Sequence, residues 1–290
     1  MPLITAQTVS EIAVELLART IVLPQTVTRV PNADYRGSGG RTLVRVPQRL
    51  AANQQTTRGA AIVYSDLNEL AVEVDLDHWY AAAKLSDEAL TLDVRDFAGQ
   101  VIAPLVAAVA EAGEDRLATQ FNRLPADLEL DPAATADETR DVVLRAREQL
   151  VAADIPATGR YLAVSPSFAT RLFAVADFVR ADARATTDAI TNATLGTLFG
   201  LQVVESSALA DGTAVAYHRS AAAFATLAPT LPQGAASART STVQGVALRT
   251  LFDFDPGTLS DVIAVSTFGG AAITDSSRLV KIAITEGSGS

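Results

Sequence analysis

Polar and apolar residues alternate with a period of two in two segments of the chain. Over Arg41–Arg49, Arg41, Arg45 and Arg49 share one parity, while Val44 and Val46 share the other. Over Glu69–Asp77, Glu69, Glu73, Asp75 and Asp77 alternate with Leu70, Val72, Val74 and Leu76. Successive side chains of a strand point to opposite faces, so each segment predicts a strand with a charged face and an apolar face. Paired antiparallel, the two make a ribbon roughly 30 Å long at about 3.3 Å per residue. A two-stranded ribbon is marginal in water, so its apolar face needs a cover. If that cover belongs to another copy of the chain, the protein is built for assembly. Residues 50–68, with Asn53, Gln54, Gln55, Thr56, Thr57 and Gly59, predict a long polar loop at the ribbon's tip.

A helical period takes over after the ribbon. Phe97, Val101, Leu105, Val109, Leu117 and Phe121 form one stripe, predicting a helix over most of Leu92–Leu124, about 45 Å long. Ser86, followed by Asp87 and Glu88, is its candidate N-cap, Pro104 should kink it, and Gly113 marks a second weak point. Upstream, residues 8–20 predict a short helix capped by Thr8 or Ser10, followed by an extended segment punctuated by Pro24, Pro31 and the glycines at 37, 39 and 40. Downstream, Pro125–Pro132 separates off a second block that opens with a helix over Thr139–Ala152. Gly159–Ser165 predicts a strand whose last residue caps a helix opened by Pro166. Residues 180–197 read as a loop with short helical pieces, and Leu201–Ser206 and Gly212–His218 as strands. Two more strands, Gly245–Phe254 and Asp261–Phe268, flank a turn at Asp255-Pro256-Gly257, and a last strand begins at Leu279.

Composition removes several kinds of chemistry. With no cysteine there are no disulfides or thiolate ligands, and His78 and His218, the two histidines, cannot build a multi-histidine metal centre. A net charge of -10 argues against general nucleic-acid binding but leaves room for a local basic patch. Residues 1–50 carry six Arg against three acids, +3, whereas residues 51–124 carry five basic and twelve acidic side chains, -7. A basic arm ahead of an acidic body suits head-to-tail packing of identical subunits. No stretch approaches the roughly 20 apolar residues of a membrane span, and the N-terminus lacks a basic n-region, so no membrane role or secretion is expected.

Candidate catalytic groups are few. The Gly37, Gly39 and Gly40 cluster lacks the Lys-Ser or Lys-Thr of a phosphate loop. Ser165 lies between a strand and a helix, as a nucleophile would, but has no partnered histidine, and capping is its better account. Glu111, Glu114 and Asp115, or Asp75 with Asp77, are the available paired carboxylates, with a charged solvated face as the alternative. His78, beside Trp79 and Tyr80, reads as an anchor at the ribbon base. No cofactor is expected.

The order of arm, ribbon, long helix, mixed block and terminal strands resembles the α+β fold of tailed-bacteriophage major capsid proteins of the Hong Kong 97 type, and within it the podovirus coat-protein branch. The resemblance is carried by Val72–Tyr80, by Leu85–Phe97 and by Ile102–Ala107. It implies an N-arm over 1–34, an E-loop hairpin over 35–80 and a P-domain over 81–138 with its spine helix at 85–124. A mainly A-domain block over 139–240 and terminal P-domain strands and tail over 241–290 complete the plan. It implies a non-enzymatic coat protein that self-assembles through hexamers and pentamers into an icosahedral virion shell around double-stranded DNA, in the host bacterial cytoplasm. The implied partners are a portal protein, a separate scaffolding protein, a cement or decoration protein, and DNA held on the inner face without sequence specificity. Arg41, Arg45, Arg49, Arg58, Glu69, Glu73 and Asp77 are the expected contacts within the ribbon or between subunits. Lys84 and Lys281 are the only lysines, so the E-loop lysine cross-link of some relatives is not expected, and 290 residues leave no room for an inserted β-barrel domain. The alternatives are an encapsulin-like compartment and a soluble α/β enzyme with a carboxylate site.

Overall fold

The computed structural model describes residues 13, 21–30, 40–47, 52, 54, 61, 64, 69–86, 97–175, 194–234, 236–243 and 246–285. In chain order the strands are β1 (Thr28–Val30), β2 (Arg41–Pro47), β3 (Glu69–Asp75), β4 (Asp77–Ser86), β5 (Leu128–Leu130), β6 (Arg160–Val164) and β7 (Thr194–Leu198). They continue as β8 (Leu201–Glu205), β9 (Thr213–His218), β10 (Ala222–Leu227), β11 (Ser237–Val243), β12 (Val246–Asp255), β13 (Ser260–Ile273) and β14 (Leu279–Ile284). The helices are α1 (Ala103–Arg123), α2 (Ala136–Ala152) and α3 (Pro166–Phe173), and a single helical turn, Leu23–Thr26, precedes β1.

Fourteen residues long, β13 organises the first sheet. Ser260–Gly269 pairs with β4, while Ser260–Ser266 pairs with β12 and Phe268–Ile273 with β10. Because the same β13 residues serve two partners, β4 holds one edge while β12 and β10 share the other. The outer strands β1 and β11 extend the sheet. Helix α1 lies on one face, burying Leu105, Val106, Val109 and Ala110 against Val246, Leu248, Ile263 and Val265. A fully buried Leu, Val or Ile side chain contributes about 1.5–3 kcal/mol.

The second sheet runs β5-β14-β9-β6-β8-β7 and is covered on both faces. Helices α2 and α3 pack Val143, Ala146, Leu150, Phe168 and Leu172 on Leu162, Val164, Ala214 and Ala216. On the other face, Leu117 and Phe121 of α1 and Leu23 of the helical turn meet Ala163, Val215 and Tyr217. Every residue of β9 is therefore buried. Helix α1 thus serves both sheets, its N-terminal half the first and its C-terminal half the second.

Helix ends are satisfied by specific groups. Thr135 and Glu138 form a reciprocal capping box at α2, three residues ahead of the start expected at Thr139. Ser165 caps α3 as expected, with its Oγ accepting from the Phe168 N–H at 3.4 Å. At the C-terminus of α1, the Lys281 Nζ donates to the carbonyls of Asn122 and Leu124 at 2.7 and 2.8 Å, so a buried cation meets the negative end of the helix dipole.

Several expectations need correction. The second ribbon limb ends at Asp75, and Asp77–Ser86 forms a new ten-residue strand, so Ser86 closes β4 instead of capping a helix. Asp87 and Glu88 lie outside the described residues. Helix α1 begins at Ala103 directly after a π-helical turn, Ala98–Ile102, with Ile102 already helical, so Pro104, which has no N–H to give the preceding turn, stands where the π pattern gives way to the α one. Strands β5, β10 and β11 were not foreseen, and β7 begins at Thr194, inside the expected loop; residues 180–193 lie outside the described residues. The chain crosses from the second sheet to the first between β9 and β10 and returns between β13 and β14, so residue 240 does not separate the sheets.

Candidate functional site

The ribbon forms as the alternation predicts, with Arg41 opposite Asp75, Leu43 opposite Glu73, Val44 opposite Val72 and Arg45 opposite Ala71. Its base is closed by Gly40, whose φ of 86° only glycine adopts readily, and whose carbonyl accepts from the Leu76 N–H at 2.8 Å. Arg41 spans both acids on its face, with Nη1 at 3.1 Å from Glu73 and Nε at 3.0 Å from Asp75. All three side chains are more than half exposed, a setting in which ion pairs contribute about 0–1 kcal/mol. Arg45 is also exposed on this face, and Leu43 stands there as an exposed apolar side chain at 54%.

The opposite face corrects the expectation of a cover from another copy. Thr42 and Val74 are fully buried, and Val74 and Val44 pack with Val30 of β1 and Ala223 and Ala225 of β10. This part of the ribbon therefore finds its apolar cover within its own chain.

The ribbon joins the first sheet through a glycine pair. Gly269 and Gly270 of β13 sit where a Cβ would come within 1.9 Å of the Trp79 ring and 2.1 Å of the Asp75 carbonyl oxygen, respectively. Their bare backbone lets β3 pass over the sheet and lets Trp79 lie flat on it. Trp79 reaches Phe224, with ring centroids 6.4 Å apart, and faces Gly113 of α1, whose missing side chain accommodates the two rings. His78 is exposed, with its ring centroid 4.7 Å from that of Phe268 and 5.9 Å from that of Tyr80, tilted in both pairs. Asp77, just past the ribbon, is held by Arg116 of α1 at 3.1 Å.

Of the candidate contact residues, Arg41 and Glu73 are brought together, Arg45 shares their face, and Asp77 turns to the helix. Glu69 is placed only in the backbone register, opposite Pro47. Arg49 and Arg58, most of the tip over 50–68 and the helix over 8–20 lie outside the described residues; of that helix only Ala13 is described, helical and buried. Sequence reasoning missed Arg116 as the partner of Asp77 and the pair Lys84–Asp255 at 2.7 Å. The Lys84 contact, with those of Thr258 and Gly257, holds the Asp255 carboxyl down at about 2.

The carboxylates weighed as catalytic have structural duties. Glu114 accepts from the Leu23 N–H at 2.9 Å and from the Val22 N–H, and Ser206 Oγ lies 3.4 Å away. Burial pushes its carboxyl above the usual range despite these bonds. Glu111, Asp115 and Glu205 line the adjoining cleft of about 360 Å³. Asp75 is paired with Arg41. Among the described residues no group of three or more His, Cys, Asp or Glu is placed to hold a metal ion.

No family model matches this sequence, and no curated protein matches it. Solved structures do match in fold. The capsid of Ralstonia phage GP4 aligns with a TM-score of 0.63 at 14% identity, over 91% of this chain and 89% of that one. A structure from Mycobacterium phage Che8 aligns with a TM-score of 0.59 at 19% identity, over 90% of both chains. The capsid structure of the cyanophage P-SCSP1u aligns at 0.58 and 11% identity, over 93% of this chain and 88% of that one. The fold is the mixed α+β capsid fold of the Hong Kong 97 type.

Proposed function

We propose that this chain is a major capsid protein, a subunit that self-assembles through hexamers and pentamers into an icosahedral shell around phage double-stranded DNA. The observation that carries this reading is a fold match to the capsid of Ralstonia phage GP4 that covers about nine-tenths of both chains. The subunit is a building block and not an enzyme. Residues 1–34 act as the arm, the ribbon within 35–80 as the reaching hairpin, and α1 as the spine to which both sheets are fixed. Portal, scaffolding and cement proteins and the packaged DNA are its partners in the virion.

The ionic face of the ribbon is the surface offered to neighbours, since its apolar face is occupied at the base by β1 and β10. The test is expression of the full chain, with and without neighbouring genes, followed by size exclusion and negative-stain electron microscopy. Closed shells or capsomers are expected, and a folded monomer under every condition rejects the reading. Arg45→Glu and Glu73→Arg should each impair assembly while changing subunit stability by less than about 1 kcal/mol, because both sites are exposed. Shells that form normally with both reversals reject the role of the ionic face.

A further inference from the structure

The two crossings that join strands of the two sheets without an α-helix between them converge on one small region. The first, His218–Ala221, joins β9 to β10, and the second, Thr274–Arg278, joins β13 to β14. They are tied together by the Thr274 and Asp275 N–H groups, which donate to the Ala221 carbonyl at 2.8 and 3.1 Å, and by the Thr274 hydroxyl, which donates to the Ser220 carbonyl at 2.8 Å. Arginines collect around this joint. Arg219 and Arg278 come from the two crossings, Arg160 opens β6, and Arg29 lies in β1, whose Thr28 hydroxyl donates to the Arg219 carbonyl at 3.0 Å.

Local contacts fix the cluster in place. The Arg219 stem lies over Gly159, where a Cβ would be 3.2 Å from Arg219 Cδ and 3.4 Å from His218 Nε2. Ser220 Oγ is 2.7 Å from both His218 Nδ1 and Arg278 Nη1. Because Nδ1 accepts from the Ser220 N–H at 3.2 Å, the ring proton is on Nε2, facing the Thr158 carbonyl at 3.1 Å. Arg160 is buried, and its guanidinium donates to the carbonyls of Pro156 and Ile155, which leave its charge uncancelled. Arg278 pairs with Asp275 at 2.7 Å. Among the described residues no carboxylate is within ion-pair distance of Arg160 or Arg219. Burial, with the charges of Arg278, Arg219 and Arg160, holds His218 below its ordinary value. Burial, and then the Arg219 charge, likewise lowers Arg29.

Such a concentration of guanidinium groups is out of character for a chain of net charge -10. Of the four, Arg160 and Arg219 have no matching carboxylate among the described residues; such like charges raise the energy of the free subunit, and an anion bound there removes that cost. Arg219 is exposed and Arg278 half-buried, so the cluster is open to a ligand. We propose that the arginine cluster at the joint between the two sheets is a binding site for the phosphates of a nucleic-acid duplex. This rests on the reading of the chain as a shell around double-stranded DNA, where phosphate is the anion at highest local concentration. Forked guanidinium donors bind phosphate bidentately and carry no base readout, so the site acts without sequence preference.

The experiment measures binding of a labelled duplex of about 20 base pairs to unassembled full-length subunit from about 50 to about 200 mM salt, with poly-glutamate as a carboxylate polyanion for comparison. Arg219→Gln and Arg278→Gln are each expected to weaken duplex binding about three- to tenfold at the lowest salt and to reduce the salt slope by about one. Arg140→Gln, on α2 where Arg140 pairs with Asp137 and Asp141, should leave both unchanged. Arg219 is exposed and, among the described residues, is hydrogen-bonded through its backbone, so its variant is expected to melt with the wild type and keeps the test valid if Arg278→Gln fails to fold. Absence of duplex binding, equal binding by the Arg219 variant, or tighter binding of poly-glutamate than duplex overturns the proposal; the last outcome points to an acidic protein segment. Shell formation is scored separately by microscopy, so shells without duplex affinity reject this site and leave the assembly reading standing.

Discussion

At the scale of single residues, the fold depends on where side chains are missing. Gly270 must be bare because a Cβ there would meet the Asp75 carbonyl oxygen at 2.1 Å, and backbone cannot rotate aside as a side chain can. Gly270→Ala is expected to destabilise the subunit by about 3 kcal/mol or more, at the upper end of overpacking costs, measured by urea denaturation. Gly234→Ala, with nothing within 4 Å, is the matched control and should be close to neutral. A loss below about 1 kcal/mol at Gly270 would mean that β3 does not cross there. These glycines also explain a misreading. Two successive glycines ordinarily weaken a strand, so the expected strand stopped at Phe268, whereas β13 runs through them to Ile273 because a close backbone approach requires them. The partner of Asp77 was equally hidden, since Arg116 lies 39 positions away and no local period links the two.

At the scale of elements, legibility followed periodicity. The ribbon, the stripe of α1 and the Ser165 cap were readable because alternation, a 3.6-residue period and a Ser-Pro pair are local signals. Strand β4 was not, because Ala81, Ala82 and Ala83 have little strand preference and the strand exists through its ten-residue register with β13. Glu114 shows a similar limit: its spacing allowed a carboxylate site, but its use is to hold the turn Leu23–Thr26 against α1. That use has a pH signature. The folded carboxyl titrates above its unfolded value, so its stabilising contribution is fully present below the unfolded value near 4.5 and is lost as pH rises through the folded one. Glu114→Gln keeps an acceptor oxygen for Val22 and Leu23 without the charge. Wild-type stability relative to this variant should therefore fall as pH rises from about 4.5 toward neutrality, measured by urea denaturation at each pH. A difference that is flat with pH, or that grows in favour of the wild type, would show that the N–H bonds outweigh burial.

At the scale of the whole molecule, α1 and the two strand crossings bind the sheets into one unit, and this is what no local pattern could reveal. Leu105 to Ala110 belong to the core of the first sheet and Leu117 to Phe121 to that of the second, so neither sheet can lose its cover without disturbing the helix that serves the other. The strand exchange acts in the same direction, because β10 follows β9 directly and β14 follows β13. Chains of this length often unfold in stages, so a single transition would be informative. Trp79, the only tryptophan, packs against both core clusters, and its fluorescence reports the junction of ribbon, α1 and first sheet. Far-ultraviolet circular dichroism is weighted toward helix and so follows α2 and α3 on the second sheet as well as α1. The two probes are expected to give coincident urea transitions for the unassembled subunit, with one midpoint and one slope. Separate midpoints would mean that the sheets unfold independently and that α1 is a bridge between two bodies instead of a shared core.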